Sequence, residues 1–364
     1  MENEMKIYVF ADFLTYQNDL IGIIYVSQTR GKEFCSFEYD DQWLEKQNMV
    51  LDPDLQLYKG RQYINDDKNI FGMFADSCPD RWGQRLMKRR EEIRARKAEE
   101  KPRKLLQSDY LLGVYDAARM GGLRFKTDLQ GEFLSNDQEF ATPPWTSLRE
   151  LEQASIAFEN DDGGQSEKWL KQLLAPGSSL GGARPKASVM APDGSLWIAK
   201  FPSKHDDFNS GAWEMVVHDL AKMCELNVPE ARVENFSKLG TTFLVKRFDR
   251  NGEQRIHFSS AMTMLGKKDG ASATDGWALS PLYDVNPDIY GEDLSLNVDE
   301  NNSTIDFDLA IEACGYYGLE KQEAIEIAER MKDIVKNNWR VFAKKYRISR
   351  GEIERMQPAF QICE

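Results

Sequence analysis

The sequence predicts an α+β protein with a β-rich N-terminal part and a helical C-terminal part. Residues 5–40 alternate apolar and polar side chains, a pattern typical of strands in an antiparallel sheet. A glycine-rich turn near residue 181 is followed by a strand, a helix and another strand. From Phe307 onward apolar residues recur at helical spacing, which favours a helical C-terminal part.

The chain has 364 residues, enough for two or three domains. A polar, proline-containing stretch at 127–147 has the composition of a connector. We therefore expect a β-rich subdomain with added helices at 1–140, a middle part with the glycine-rich turn at 141–250, and a helical part at 251–364.

One long, charged helix is predicted at 79–104, with Pro79 and Asp80 near its start and Pro102 ending it. Glutamates interleave its many lysines and arginines, which favours a solvated face over a nucleic-acid surface. The net charge of −13 also argues against strong direct nucleic-acid binding, since phosphate contacts need a basic surface. A DNA-binding regulator is the weaker alternative that this helix suggests.

The five cysteines are dispersed and form no CxxC pair, so we expect reduced thiols acting as small buried hydrophobic residues. They are Cys35, Cys78, Cys224, Cys314 and Cys363. No apolar run approaches the ~18 residues of a membrane span, and the N-terminus lacks a signal-peptide pattern. We expect a cytoplasmic protein without membrane association.

The stretch most suggestive of ligand binding is SSLGGARPK, residues 178–186. Gly181, Gly182 and Ala183 allow a close backbone approach, so that successive N–H groups could cradle phosphate oxygens. A plain turn would explain the stretch equally well if it stood alone. Leu180 and Lys186 flank the small residues and complete the candidate loop.

The residues that follow favour a phosphate site. Lys200 ends the apolar strand LWIAK, and burying a lysine there costs free energy unless it meets an anion. Fourteen residues after Lys200, Glu214 is expected to open an amphipathic helix. A glycine loop, a strand lysine and a helix glutamate, in this order, hold ATP in protein kinases. An ordinary salt bridge between Lys200 and Glu214 is the alternative.

A second acidic candidate is Asp284 in LSPLYDVNP, where we expect a strand to end on a carboxylate. In a kinase this is the place of the aspartate that holds Mg²⁺ against the nucleotide phosphates. By itself, such an aspartate more often caps a turn.

These residues resemble the HipA family of bacterial serine/threonine kinases, the toxins of toxin–antitoxin pairs. Similar blocks extend along nearly the whole chain: FADSCPDRWGQRLM, DYLLGVYDAARMGGLRF, SSLGGARPKA, LVKRFDR, GWALSPLYDVNP and SRGEIERMQPAF. The resemblance implies a protein-kinase-like, two-lobe fold, ATP and Mg²⁺ as cofactors, a protein substrate, and a small DNA-binding, HipB-like antitoxin as partner.

The resemblance also implies roles for single residues. Ser179 matches the serine that the family autophosphorylates, and Lys200 matches the lysine that binds ATP. Lys246 and Phe248 match the hinge beside adenine, and Asp284 matches the metal-binding aspartate.

One family element is missing from the sequence. The resemblance implies a catalytic loop with an aspartate, a histidine and an asparagine shortly before Asp284, but His205, His218 and His257 do not stand in such a motif. No catalytic residue can therefore be named. We expect either that an internal segment is absent at the junction of Asp275 and Gly276, which the abrupt join favours, or that the chain is a pseudokinase or a nucleotide-binding module.

Overall fold

The structure of the chain, a computed structural model, describes ten stretches of the sequence. They are residues 4–46, 50–64, 68–138, 141–160, 173, 184–264, 280–291, 293–294, 298–299 and 302–364. The chain divides into two compact units. The first unit comprises residues 1–203 and 246–277, and the second comprises 204–245 and 278–364.

The strands and helices of the chain follow the order that the sequence predicts, with a β-rich start and a helical end. The strands are β1 Met5–Ala11, β2 Asp19–Thr29, β3 Lys32–Tyr39, β4 Gln62–Tyr63, β5 Leu123–Lys126, β6 Lys186–Met190, β7 Leu196–Lys200, β8 Ala231–Glu234, β9 Thr242–Lys246, β10 Arg250–Asn251 and β11 Gln254–Arg255. The helices are α1 Asp41–Lys46, α2 Gly72–Ala75, α3 Arg81–Lys97, α4 Gln107–Gly113, α5 Leu148–Glu159, α6 Ser210–Met223, α7 Ala261–Met264, α8 Phe307–Glu312, α9 Lys321–Lys345 and α10 Arg350–Met356.

A five-stranded antiparallel sheet, in the order β4-β3-β2-β1-β5, forms the N-terminal part of the first unit. Its alternating residues place one apolar face on a core that includes Ile7, Val9 and Phe125. Phe71 and Phe74 of the α2 region pack into the same core. The predicted period-two pattern of residues 5–40 is thus confirmed as three paired strands.

Helix α3 is shorter than the sequence predicts. Asp80 caps its N-terminus by accepting a hydrogen bond from the backbone N–H of Gly83 at 2.8 Å, as its position suggested. The helix ends at Lys97, before Pro102, because Glu99 adopts a left-handed φ of 54° and the N–H of Glu100 bonds back to the carbonyl of Ala95.

The second unit is built around aromatic residues from α6 and α9. Trp213 and Trp339 are fully buried, and the ring of Trp339 stacks on Phe360 with centroids 4.5 Å apart. The indole N–H of Trp213 donates to Glu352 of α10 at 2.9 Å. Strands β8 and β9 pair antiparallel in the same unit. In the described stretches no helix is long and apolar enough to cross a membrane.

Four of the five cysteines are buried, which agrees with the predicted role as small hydrophobic residues. Burial raises the pKa of both Cys35 and Cys78 to about 12, so these thiols stay protonated at neutral pH.

Candidate functional site

The hairpin of β6 and β7 carries the two lysines that the sequence assigns to ATP binding. The strands pair antiparallel, and the register sets Lys186 directly opposite Lys200. Directly opposed residues of an antiparallel pair project from the same face of the sheet. Both lysines are buried, and Lys200 is the last residue of its strand, as predicted.

Lys186 lies in a buried ion pair with Asp80, the residue that caps α3. The distance from Lys186 Nζ to Asp80 Oδ2 is 2.9 Å, and the two side chains are only 4% and 2% exposed. Burial raises the pKa of Asp80, and the neighbouring ammonium of Lys186 opposes that shift. The indole N–H of Trp82 also donates to the backbone carbonyl of Lys186 at 3.0 Å.

Glu214 lies in the second turn of α6. The sequence prediction that it opens the helix is wrong, because Asn209 is the N-cap and accepts a hydrogen bond from the backbone N–H of Ala212. Gly211 lets the helix lie close to the segment before β9, since a Cβ at this position would come within 2.0 Å of the carbonyl oxygen of Thr241. The Glu214 side chain is thereby buried, with 5% of the residue exposed.

A small pocket, partly open to solvent, lies within the second unit and brings two of the predicted site residues together. Glu214 contributes from α6 and Asp284 contributes from the segment at 280–290. Phe243 and Tyr283 supply aromatic surface to the same pocket. Two carboxylates at an aromatic-lined pocket can hold a cation against an anionic ligand.

Asp284 does not end a strand, so that prediction is wrong. Residues 280–290 contain no strand or helix, and Asp284 is exposed with a left-handed φ of 59°. Pro281 and Pro287 lack the backbone N–H that a strand ladder requires, which explains the irregular path. The segment is fixed instead by a hydrogen bond from the N–H of Leu282 to the carbonyl of Asn227 at 2.7 Å.

His218 also lines the pocket, although it was not among the predicted site residues. It follows Glu214 by one helical turn on α6, and this i, i+4 spacing was the available signal. Its Nε2 lies 2.7 Å from the carbonyl oxygen of Pro229, so Nε2 carries a proton and donates it to that oxygen.

Lys246 and Phe248, the predicted hinge residues, are half-buried, and the ring of Phe248 makes an edge contact with Phe258 at 6.0 Å. The alternate residues Arg247 and Asp249 are buried instead. Asp249 accepts two hydrogen bonds from Arg247, at 2.8 and 2.7 Å, and a third from Arg250 at 2.6 Å. Side chains alternate between the two faces of an extended chain, so the spacing of Arg247 and Asp249 in the block LVKRFDR could have indicated this buried pair.

The rest of the predicted loop, Ser179, Leu180, Gly181, Gly182 and Ala183, lies outside the described residues. The junction of Asp275 and Gly276 does so as well.

The carboxylates of Glu214 and Asp284 suit magnesium better than a metal ion that is held by several protein side chains. Among the residues that the structure describes, no three His, Cys, Asp or Glu side chains are grouped to hold a metal ion. Mg²⁺ is commonly bound through one or two carboxylates together with substrate phosphates and water. Asp284 could supply such a carboxylate.

Comparison with known proteins identifies the family. Residues 15–108 match the model of the HipA N-terminal domain, and residues 178–274 match that of the HipA-like C-terminal domain. No curated protein sequence matches the chain.

Among solved structures, the chain is similar to one from Shewanella oneidensis MR-1, described as the toxin–antitoxin system HipA, HipB and its operator DNA complex. The TM-score is 0.59 at 15% identity, over 98% of this chain and 95% of that one. This likeness confirms the α+β fold, and the two family models together span more than half of the sequence. The chain belongs to the HipA family.

Proposed function

We propose that the chain is an ATP- and Mg²⁺-dependent protein serine/threonine kinase of the HipA type. The observation that carries this proposal is the pocket that Glu214 and Asp284 share, since these two residues were selected from the sequence for one site. The buried position of Lys200 at the end of β7 adds support, because a buried ammonium is stabilised by an anionic ligand.

In this proposal Lys200 contacts the α- and β-phosphates of ATP, and Glu214 provides the helix carboxylate that orients a phosphate-binding lysine in kinases. Asp284 holds the magnesium ion, which neutralises charge on the phosphates. Leu180, Gly181, Gly182 and Ala183 form the phosphate loop. Lys246 and Phe248 flank adenine, and Ser179 is the site of autophosphorylation.

Phosphorylation of Ser179 would regulate the site by charge. A phosphoserine carries close to two negative charges at neutral pH. Placed next to the phosphate loop, these charges repel the nucleotide phosphates. We therefore propose that the phosphorylated chain binds ATP poorly and is the silenced form.

The biological role we propose is that of the toxin in a toxin–antitoxin pair, acting in the cytoplasm on a protein substrate. The structural relative from Shewanella oneidensis is described as a complex with HipB and operator DNA. By analogy, the partner is a small DNA-binding, HipB-like antitoxin, and this acidic chain reaches DNA mainly through that partner. Cytoplasmic location and the substrate class follow from the family resemblance.

A phosphoryl-transfer assay with radiolabelled ATP tests the proposal. With a catalytic-loop segment inserted at the junction of Asp275 and Gly276, the chain should label itself at Ser179, and Ser179→Ala should abolish that label. Asp284→Asn should lower the rate by roughly two orders of magnitude, as expected for a group that stabilises transition-state charge. Asp288→Asn is the matched control, because Asp288 is exposed in the same segment and does not line the pocket. Full activity of Asp284→Asn would refute the proposed role.

The alternative is a nucleotide-binding module without phosphoryl transfer, and the sequence gives it specific support. The stretch before Asp284 lacks the catalytic aspartate and asparagine that the family resemblance implies. Binding of Mg²⁺-ATP by the chain with no transfer to protein would favour this alternative. Recovery of transfer in a version with a catalytic-loop segment inserted at the junction of Asp275 and Gly276 would favour the kinase.

A further inference from the structure

The register of the β6–β7 hairpin places two positively charged side chains opposite each other. Lys186 and Lys200 are directly opposed and both buried, and like charges that face each other across two strands are destabilising. The sequence alone gave both lysines the same role, as ATP ligands. Within the first unit, Lys186 lies against a carboxylate that is distant in the sequence.

That carboxylate is Asp80, which performs two tasks at the N-terminus of α3. Its Oδ1 accepts the capping hydrogen bond from Gly83 at 2.8 Å, and its Oδ2 lies 2.9 Å from the ammonium of Lys186. Trp82, two residues on, donates to the backbone carbonyl of Lys186. The side chain and the backbone of Lys186 are therefore both fixed by the first turn of α3.

A lysine held in this way is poorly placed to serve as a phosphate ligand. To reach a phosphate, Lys186 would have to leave a buried carboxylate, and an uncompensated buried charge is strongly destabilising. Burial raises the pKa of Asp80 and the ammonium of Lys186 opposes that shift, so removal of Lys186 would make this carboxyl harder to ionise.

We propose that Asp80 is a positioning residue that gives the two opposed lysines different tasks. It holds Lys186 as the fixed start of β6, and Lys200 is the lysine that contacts the nucleotide phosphates. This inference rests on the proposed function for the role of Lys200. It departs from the sequence prediction that Lys186 itself binds ATP.

The test measures thermal stability and the Kd for Mg²⁺-ATP in single and paired variants of the full chain. Asp80→Asn and Lys186→Met should each lower Tm and weaken ATP binding about tenfold, because each leaves one buried charge without its partner and disturbs the start of β6. The double variant Asp80→Asn/Lys186→Met should recover both values, with Kd within about threefold of the unaltered chain, since no buried charge is left without its partner and the asparagine oxygen can still cap α3.

Lys200→Met is the comparison for a true phosphate ligand and should weaken ATP binding in every background. If the double variant has a normal Tm but binds ATP as weakly as Lys200→Met, then Lys186 is itself a phosphate ligand and the inference is wrong. A second pair, Asp80→Asn/Lys186→Gln, serves the same purpose should the first pair fold poorly.

The two proposals can fail separately. If the unaltered chain binds no Mg²⁺-ATP, the proposed function and the role of Lys200 are both refuted. The stability data then still decide the role of Asp80. A double variant that is no more stable than the two single changes predict in sum would show that the pair does not hold Lys186.

Discussion

Among the single residues, His257 of the first unit is expected to make the stability of the fold depend on pH. Its ring stacks on Phe13 with centroids 4.7 Å apart, and both ring nitrogens are shielded from solvent. Burial lowers the pKa of His257 to about 4, from an ordinary value of 6.5. The folded protein therefore holds a neutral imidazole in a pH range where the unfolded chain takes up a proton.

This difference predicts a loss of stability in mild acid. Below pH 6.5 the unfolded state binds the proton and the folded state does not, so stability falls until the pH reaches about 4. Between pH 7 and pH 5, His257 should lower the free energy of unfolding by about 2 kcal/mol. Urea denaturation should show that His257→Phe removes this part of the pH dependence, whereas His205→Phe, at an exposed position, should leave it unchanged. Equal pH dependence in all three proteins would contradict the assignment.

The buried carboxylate of Asp249 is the second single group expected to contribute strongly to stability. Burial by itself would raise its pKa, but Arg247 and Arg250 outweigh that effect and hold the pKa of Asp249 below its usual range. The carboxylate also accepts a hydrogen bond from the backbone N–H of Gly121 at 2.9 Å, which joins two distant segments of the first unit.

Asp249→Ala should therefore destabilise the protein by about 3–5 kcal/mol, because it leaves the buried guanidinium of Arg247 without its carboxylate. The matched control is Asp41→Ala, which removes an ion pair with Lys59 whose two side chains are 59% and 74% exposed. That change should cost less than about 1 kcal/mol. Similar free energies of unfolding for the two variants would show that the Arg247–Asp249 pair is not important for stability.

Helix α9 shows what sequence periodicity can and cannot predict about an element. The apolar stripe of Ala324, Ile327, Met331, Ile334 and Val335 predicts a core-facing side. Of these five only Ala324 is buried, and the other four are half-buried. The buried residues lie farther along the helix, at Trp339 and Ala343. Spacing identifies the side of a helix, but burial depends on which other elements cover it, here α6 and the C-terminal residues.

Trp339→Ala should consequently destabilise the second unit by about 3–5 kcal/mol, since it removes a fully buried ring that packs on Trp213 and Phe360. Val341→Ala tests the other side of α9, where the residue is 58% exposed, and should change stability by less than about 0.5 kcal/mol. Chemical denaturation followed by tryptophan fluorescence reports on both. A small effect of Trp339→Ala would mean that this cluster does not stabilise the unit.

The sites were predicted less completely than the elements, for a physical reason. The positions of Lys200 and Glu214 on a strand and a helix follow from local pattern and are confirmed. The path of the chain at Asp284 and the partner of Lys186 depend on contacts between residues far apart in the sequence, such as Leu282 with Asn227. Local propensity carries no information about those contacts.

For the molecule as a whole, the order of the motifs was more informative than any one of them. A glycine pair or a lone aspartate predicts little, yet their succession with Lys200 and Glu214 indicated the family that the two domain models match. Composition alone could not have identified it. The same comparison of blocks revealed that the catalytic-loop residues are missing, which ordinary strand and helix patterns do not reveal.

Calorimetric titration of Mg²⁺-ATP into the full chain and into Lys200→Met tests whether the chain binds nucleotide and does so through Lys200. The unaltered chain should bind with a Kd between about 1 μM and 1 mM, which is the range of KM values usual for enzyme substrates. Lys200→Met should weaken binding at least about tenfold, because the contact of an ammonium with phosphate is lost. Absence of binding at millimolar ATP would refute nucleotide binding, and the same Kd for both proteins would refute the role of Lys200.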